Sequence, residues 1–248
     1  MVRQVVPGKM ARMVYLIRAV IAARMVPLVA GLLLGSLAPG MARAACNDVP
    51  AAGVNWKDCE KQRLILRKAQ LAGSHLEGAE MDGSDLAEAD LSGADLSRAS
   101  VDRARLSGAN LERAKLSRLI AFRTNFTGAK LVGADLTKAE LMRSSFKDAN
   151  LSGANLEKAE LQRTNFEGAN LVNANLSGAD MARTNLGKAR LSGARLTLAR
   201  TFLTRIEGVD LSAAQGMVQS QIDSACGDKT TKLPAGLKLP ASWPCPAE

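Results

Sequence analysis

The chain has 248 residues, a single His, four Cys, 3% aromatic residues and a formal net charge of +9. So little His argues against imidazole-centred catalysis, and so few aromatics against nucleic-acid recognition by base stacking. The charge is mostly local, because residues 1–44 carry six Lys or Arg and no acid; it does not by itself call for a polyanionic partner.

Those first 44 residues read as a signal peptide. Arg3, Lys9, Arg12, Arg18 and Arg24 precede an apolar run from Met25 to Ala38. Ala42 and Ala44 then place small residues at the −3 and −1 positions of a cleavage site. The run is too short for a comfortable membrane span. The expectation is an exported chain, periplasmic or secreted, that starts near Ala45 and has no transmembrane segment. Residues 45–65 follow as an N-terminal cap, with Cys46 and Cys59 flanking a loop that holds Pro50, Gly53 and Trp56. Trp56 is in phase with the repeat that comes next and is expected to cover its open end. Solenoids need such covers, because a bare end exposes apolar side chains and unpaired backbone groups.

From Leu66 to Leu211 every fifth residue is a centre, giving 30 centres of which 21 are Leu and three Phe. Two residues before the centre the chain is small, with 20 Ala and seven Ser or Thr in those 30 positions. Just before the centre stands Asp or Asn in many units, as in Ala94-Asp95-Leu96, and Ser-Gly often follows, as in Leu151-Ser152-Gly153. A step of five places the leucines on no single helix face and on alternating sides of a strand. It suits a coil in which each five-residue unit is one short side, turning at Asn, Asp, Ser or Gly. Longer spacings say how many sides. Phe126, Phe146 and Phe166 are 20 apart, as are Arg103, Arg123, Arg143, Arg163 and Arg183. Six inward hydroxyls, from Ser84 to Thr204, share one 20-residue phase, and the weak centres Ala121 and Thr201 are 80 apart. Four sides per coil stack all of these in columns. At about 4.8 Å per layer, the 66–215 block is expected to form a stack roughly 36 Å long. Removing one coil's worth of residues, 126–145 for example, should leave a shorter folded rod.

Tandem Ala-[Asp/Asn]-Leu-x-x resembles the pentapeptide-repeat family, whose members form right-handed quadrilateral β-helices. The resemblance implies an all-β solenoid; it implies little about function, since one solenoid can carry many surfaces. The tail, 216–248, is out of phase and rich in Pro, with Cys226, Cys245 and Trp243. It resembles the segment that follows the repeats in some exported bacterial members of the family and is expected to be the second cap. Four Cys in an exported chain read as disulfides. Cys46–Cys59 and Cys226–Cys245 are favoured because each closes a short local loop, contributing about 3 kcal/mol on the loop-entropy account.

No catalytic, cofactor or metal constellation stands out. His75 occupies an outward repeat position, and carboxylates such as Asp85 and Asp90 stand where the repeat places a polar residue by default. The surface feature that does stand out is basic. The column Arg103, Arg123, Arg143, Arg163, Arg183 has a second beside it: Arg98, Arg118, Lys138, Lys158. Glu140, Glu160 and Asp180 interleave the two, so a self-compensated salt-bridge ladder is one expectation. The other is a strip that binds a protein or an anionic envelope polymer, centred near Arg98–Arg123 where Ser100 and Ile120 replace the acids. The reading is a non-catalytic, exported, rigid binding or scaffold protein without cofactor. The alternative is a cytoplasmic DNA mimic that binds a type II topoisomerase, as acidic members of the family do. A repeat block with 21 basic and 18 acidic residues and an export leader both depart from that pattern.

Overall fold

A five-residue side is too short to hold a strand, and the hydrogen bonds show what replaces one. In the computed structural model, which describes residues 46–245, each unit contributes a single bridge residue followed by a tight turn. The expected signal peptide, 1–44, lies outside the described residues. The bridge residue precedes the centre and pairs in parallel with the residue 20 further on, from Asn55↔His75 to Arg195↔Gln215. The four-sided coil is therefore observed directly, and the protein is a right-handed quadrilateral β-helix. Between coils, the Leu66 N–H donates to Asp85 O at 2.7 Å, the Lys68 N–H to Ala87 O at 3.0 Å, and the Asp85 N–H to Leu64 O at 2.8 Å. Repeated along the rod, these bonds satisfy a backbone that, among the described residues, has almost no regular strand or helix.

Each corner is a β-turn closed from the centre's carbonyl to the N–H three residues on, as in Ala69 N–H to Leu66 O at 3.1 Å. Its second central residue has φ near +60°, the signature of a type II turn. That conformation explains the Gly of the Ser-Gly pairs. The Asp or Asn before the centre acts differently. Its Oδ1 accepts the N–H two residues on, as in Ser92 to Asp90 at 3.0 Å and Gly187 to Asn185 at 3.0 Å. These Asx turns set the chain's direction into the corner.

Inside, centres and small residues are buried in columns from end to end. The Phe126, Phe146 and Phe166 rings stack at 4.5 and 5.0 Å between centroids, with interplanar angles of 6° and 14°. The inward hydroxyls are not free. Thr124, Thr164, Thr184 and Thr204 each donate to the centre carbonyl 23 residues back, at 2.7 to 2.9 Å. Around the weak centre Ala121 the hydroxyl does more: Ser144 Oγ accepts the Thr124 N–H and donates to Ala121 O, replacing the direct bond that closes other turns.

Both ends are stapled as the cysteine spacing suggests, Cys46 to Cys59 and Cys226 to Cys245. The cap boundaries differ from expectation. Residues 51–65 already follow the coil register, with Asn55↔His75 and Glu60↔Glu80, so only 46–50 precede it. Their membership is hidden in the sequence because the centres there are Ala51, Trp56 and Lys61. Trp56 is fully buried at the head of the Leu76 column, its Nε1 donates to Asp48 O at 3.2 Å, and Lys61 Nζ lies 4.2 Å from its ring centroid.

The tail likewise continues the coil, with insertions. The bridge spacing grows from 20 to 21 at Arg205↔Cys226 and 22 at Asp210↔Lys232. One extra turn of helix, α1 (Gln219–Ser224), absorbs the first inserted residue, and the second falls in the loop 227–231. Gln221 then replaces the next coil's backbone: its Nε2 donates to Leu196 O and Ala199 O, both at 2.8 Å, and its Oε1 accepts the Val218 N–H at 2.8 Å. Trp243 locks the tail down, donating to Ala225 O at 2.7 Å with its ring against Gly227, where a Cβ would collide with it. Gln221→Leu leaves the buried Ala199 carbonyl unpaired. It is expected to lower the unfolding free energy by about 1–3 kcal/mol in urea denaturation, with the N-terminal coils unaffected.

Candidate partner-binding face

The rod has four flat faces, and one is unlike the others. It is centred on the column Val101, Ala121, Leu141, Leu161, Met181. Its corners are the two basic columns read from the sequence: Arg103 to Arg183 on one edge, Arg98 to Lys158 on the other. The structure brings all seven predicted arginines to these edges, each exposed.

Every basic corner residue occupies the turn position with left-handed backbone, φ between +53° and +60°. A side chain there costs about 1–2 kcal/mol that Gly avoids. Away from this face the chain mostly uses Gly, as at Gly93, Gly108, Gly128, Gly133, Gly153, Gly168 and Gly193. On this face, from Arg98 to Arg183, nine of ten corner positions are Arg or Lys and only Gly178 is not. Other side chains take the same conformation off this basic run, as at Glu88, Asp148, Asn173, Leu198 and Leu203, but only here is the corner almost uniformly Arg or Lys.

The expected salt-bridge ladder does not form. Among the described residues Arg98, Arg118, Arg123, Arg143 and Arg163 make no ion pair, and neither Glu140 nor Glu160 pairs with any of them. Asp180 instead holds Arg200 at 3.0 Å, and Lys158 holds its own neighbour Glu157 at 3.5 Å. The reason is geometric: the carboxylates leave the rod from the flat of the face, while the arginines leave from the corners three residues on.

The predicted centre of the strip also moves. Near Arg98–Arg123 the acids missing at Ser100 and Ile120 are supplied by the next outward column. Asp82 accepts Ser100 Oγ and the Asp102 N–H, and Asp102 lies 3.6 Å from Arg103 Nε. One coil further on, that column turns apolar: Phe122 and Met142, with Ile120 beside them, lie half-buried between Arg118 on one edge and Arg123 and Arg143 on the other. A shallow depression runs over Phe122 and Met142 between Arg103, Arg123 and Arg143. Sequence reasoning missed this apolar floor, although reading every twentieth residue from Asp102 would have found it.

Two carboxylates away from this face are held by turn hydrogen bonds. Asp90 is held below the ordinary carboxylate range by the Ser92 hydroxyl and N–H, with Asn110 assisting. Asp210 is lowered to about 2 by the Ser212 hydroxyl and N–H and by Lys232. Both are fixed in the ionised state by turn hydrogen bonds, which is structural work. Among the described residues no group of three His, Cys, Asp or Glu could hold a metal, and no helix is long and apolar enough to cross a membrane.

Two family models match the rod. The model for pentapeptide repeats (8 copies) covers residues 65–103, and that for a pentapeptide repeat region covers 119–196. A search of curated proteins gave no match. Among solved structures, a trypsin-treated form of QnrB1, a plasmid-mediated fluoroquinolone resistance protein, is 19% identical with a TM-score of 0.50, over 69% of this chain and 90% of that one. HetL, a pentapeptide repeat protein involved in heterocyst differentiation regulation in Nostoc sp. strain PCC 7120, is 27% identical with a TM-score of 0.35, over 72% of this chain and 78% of that one. Rfr23 from the cyanobacterium Cyanothece 51142 is 30% identical over 54% of this chain and 63% of that one, with a TM-score of 0.20. The likeness to QnrB1 is one of fold.

Proposed function

The chain is a pentapeptide-repeat protein, and from that premise we propose that it is a non-catalytic, exported binding or scaffold module that holds a partner in the bacterial envelope against its arginine-cornered face. The observation that carries this reading is the set of five exposed arginines without ion pairs on strained corners of one face. A rod needs neither the strain nor the charge to fold, because Gly serves the same turn elsewhere. Stacked like charges about 5 Å apart also repel by something near 1 kcal/mol per pair in water. The repulsion falls away when an anionic surface covers the face.

Export is supported by the leader pattern of residues 1–44 and by the pairing of all four Cys into end staples, which suits an oxidising compartment. The basic face has the opposite sign to a DNA mimic, so the fluoroquinolone resistance of a protein sharing the fold is not carried across.

A photo-crosslinking amino acid placed at Met142, on this face, or at Val132, on the opposite one, tests the reading. In separated fractions of the native cells, the expected result is a discrete adduct from position 142 in the periplasm and none from 132. Adducts from neither position, or equally from both, overturn the binding face. An adduct confined to the cytoplasm overturns export.

A further inference from the structure

Resting on that binding reading, we infer that the occupant of the face is an acidic protein segment whose apolar side chains cover Ile120, Phe122 and Met142. Charge sets the sign of the partner. Between Arg98 and Leu203 the face carries ten basic and four acidic residues, whereas the whole 66–215 rod carries 21 and 18, so the positive excess is concentrated here. Arginine without an ion pair presents a planar fork that carboxylates satisfy in pairs of hydrogen bonds.

The apolar floor sets the class. A polyphosphate has no apolar atoms to place over Phe122 and Met142, while apolar side chains of a polypeptide remove that surface from water. Arg, Phe and Met are the residue types enriched at the centres of protein interfaces. Ile120, Phe122 and Met142 are half-buried between exposed arginine edges, where apolar side chains of a chain lying along the face pack against them.

The test uses the disulfide-intact protein and four probes: fluorescein-labelled 12-residue peptides of alternating Glu-Leu and alternating Glu-Ser, labelled polyphosphate, and phosphatidylglycerol vesicles. Anisotropy, or sedimentation for the vesicles, reads binding. The Glu-Leu peptide is expected to bind at least ~10-fold more tightly than the equally charged Glu-Ser peptide, and to weaken by ~10-fold or more in Phe122→Ser, in Met142→Ser and in Arg123→Gly/Arg143→Gly. The Gly pair keeps or raises the melting temperature, since Gly is the residue these turns prefer, so its loss of binding is not a loss of fold. Arg113→Gly, at a corner of the opposite face, leaves binding unchanged. Equal binding of the two peptides, or binding by polyphosphate or vesicles that ignores Phe122 and Met142, overturns the inference while the binding face stands. Failure of every probe together with no adduct from position 142 removes the face itself.

Discussion

Replacing Phe146 with Ala lowers the unfolding free energy by about 3–5 kcal/mol, the range for emptying a large aromatic site in a core. Phe146 is fully buried and is the middle of three stacked rings, so its loss removes both aromatic contacts at once. Stacked rings add about 0.5–1.5 kcal/mol beyond area burial. The backbone cannot collapse into the gap, because inter-coil hydrogen bonds above and below hold the layers apart, as at Phe146 N–H to Asn165 O at 2.7 Å. Phe146→Leu is far milder, under about 1.5 kcal/mol, because the same column is Leu at 86, 106 and 186 and the coil already accepts that shape. The chain carries its own reporters. Its two Trp residues, Trp56 and Trp243, stand at opposite ends of the rod. In a stack where each coil touches only its neighbours, weakening the middle uncouples the ends. Single-Trp variants unfold together in the parent and at separate urea midpoints in Phe146→Ala. Coincident midpoints with a loss under about 1 kcal/mol would show that the column does not bear the stack.

The architecture is legible in the sequence because a solenoid turns sequence spacing into spatial adjacency. Once the period of five and the phase of 20 are found, Phe146 must lie on Phe126, and Thr164 must reach the coil below; both do. The disulfides are legible for the same local reason. What escapes is whatever breaks the period or depends on direction. Residues 51–65 hide because Trp56 and Lys61 stand where Leu is expected, and the tail hides because one and two inserted residues shift its register. The arginine columns are plain in the spacing, but their surroundings are not. Position along a column says which residues stack, not which way a side chain leaves the rod. So Glu140 and Arg143 look like partners in sequence, although one leaves from the flat and the other from the corner. The left-handed turn itself is readable from the Gly that alternates with Arg at the same position of the repeat.

Removing residues 146–165 is expected to leave a folded rod one coil shorter, with a melting temperature only a few degrees lower. After that deletion every residue keeps its column: Phe166 stacks on Phe126, and Thr184 finds Leu141 O where it had Leu161 O. The segment 126–145 is the poorer choice, because it takes away Ser144, whose hydroxyl completes the Ala121–Thr124 turn. Deleting 146–155 preserves the period of five but not of 20, so one inter-coil layer is mispaired. Phe126 then meets Leu156, Phe166 moves to another face, and the melting temperature falls further than for the full coil although fewer residues are lost. Removing only 147–149 breaks the period of five. Phe146 and Leu151 become two steps apart, a span that cannot cross one side of the coil, and the chain above the break cannot stack on the chain below. The rod then loses cooperative unfolding, and Trp56 and Trp243 report separate transitions. The order of stability, one coil removed above half a coil above three residues, follows only from four sides of five. A rod built on another number of sides would rank the 10- and 20-residue deletions equally or in reverse, and circular dichroism melts of the three proteins decide it.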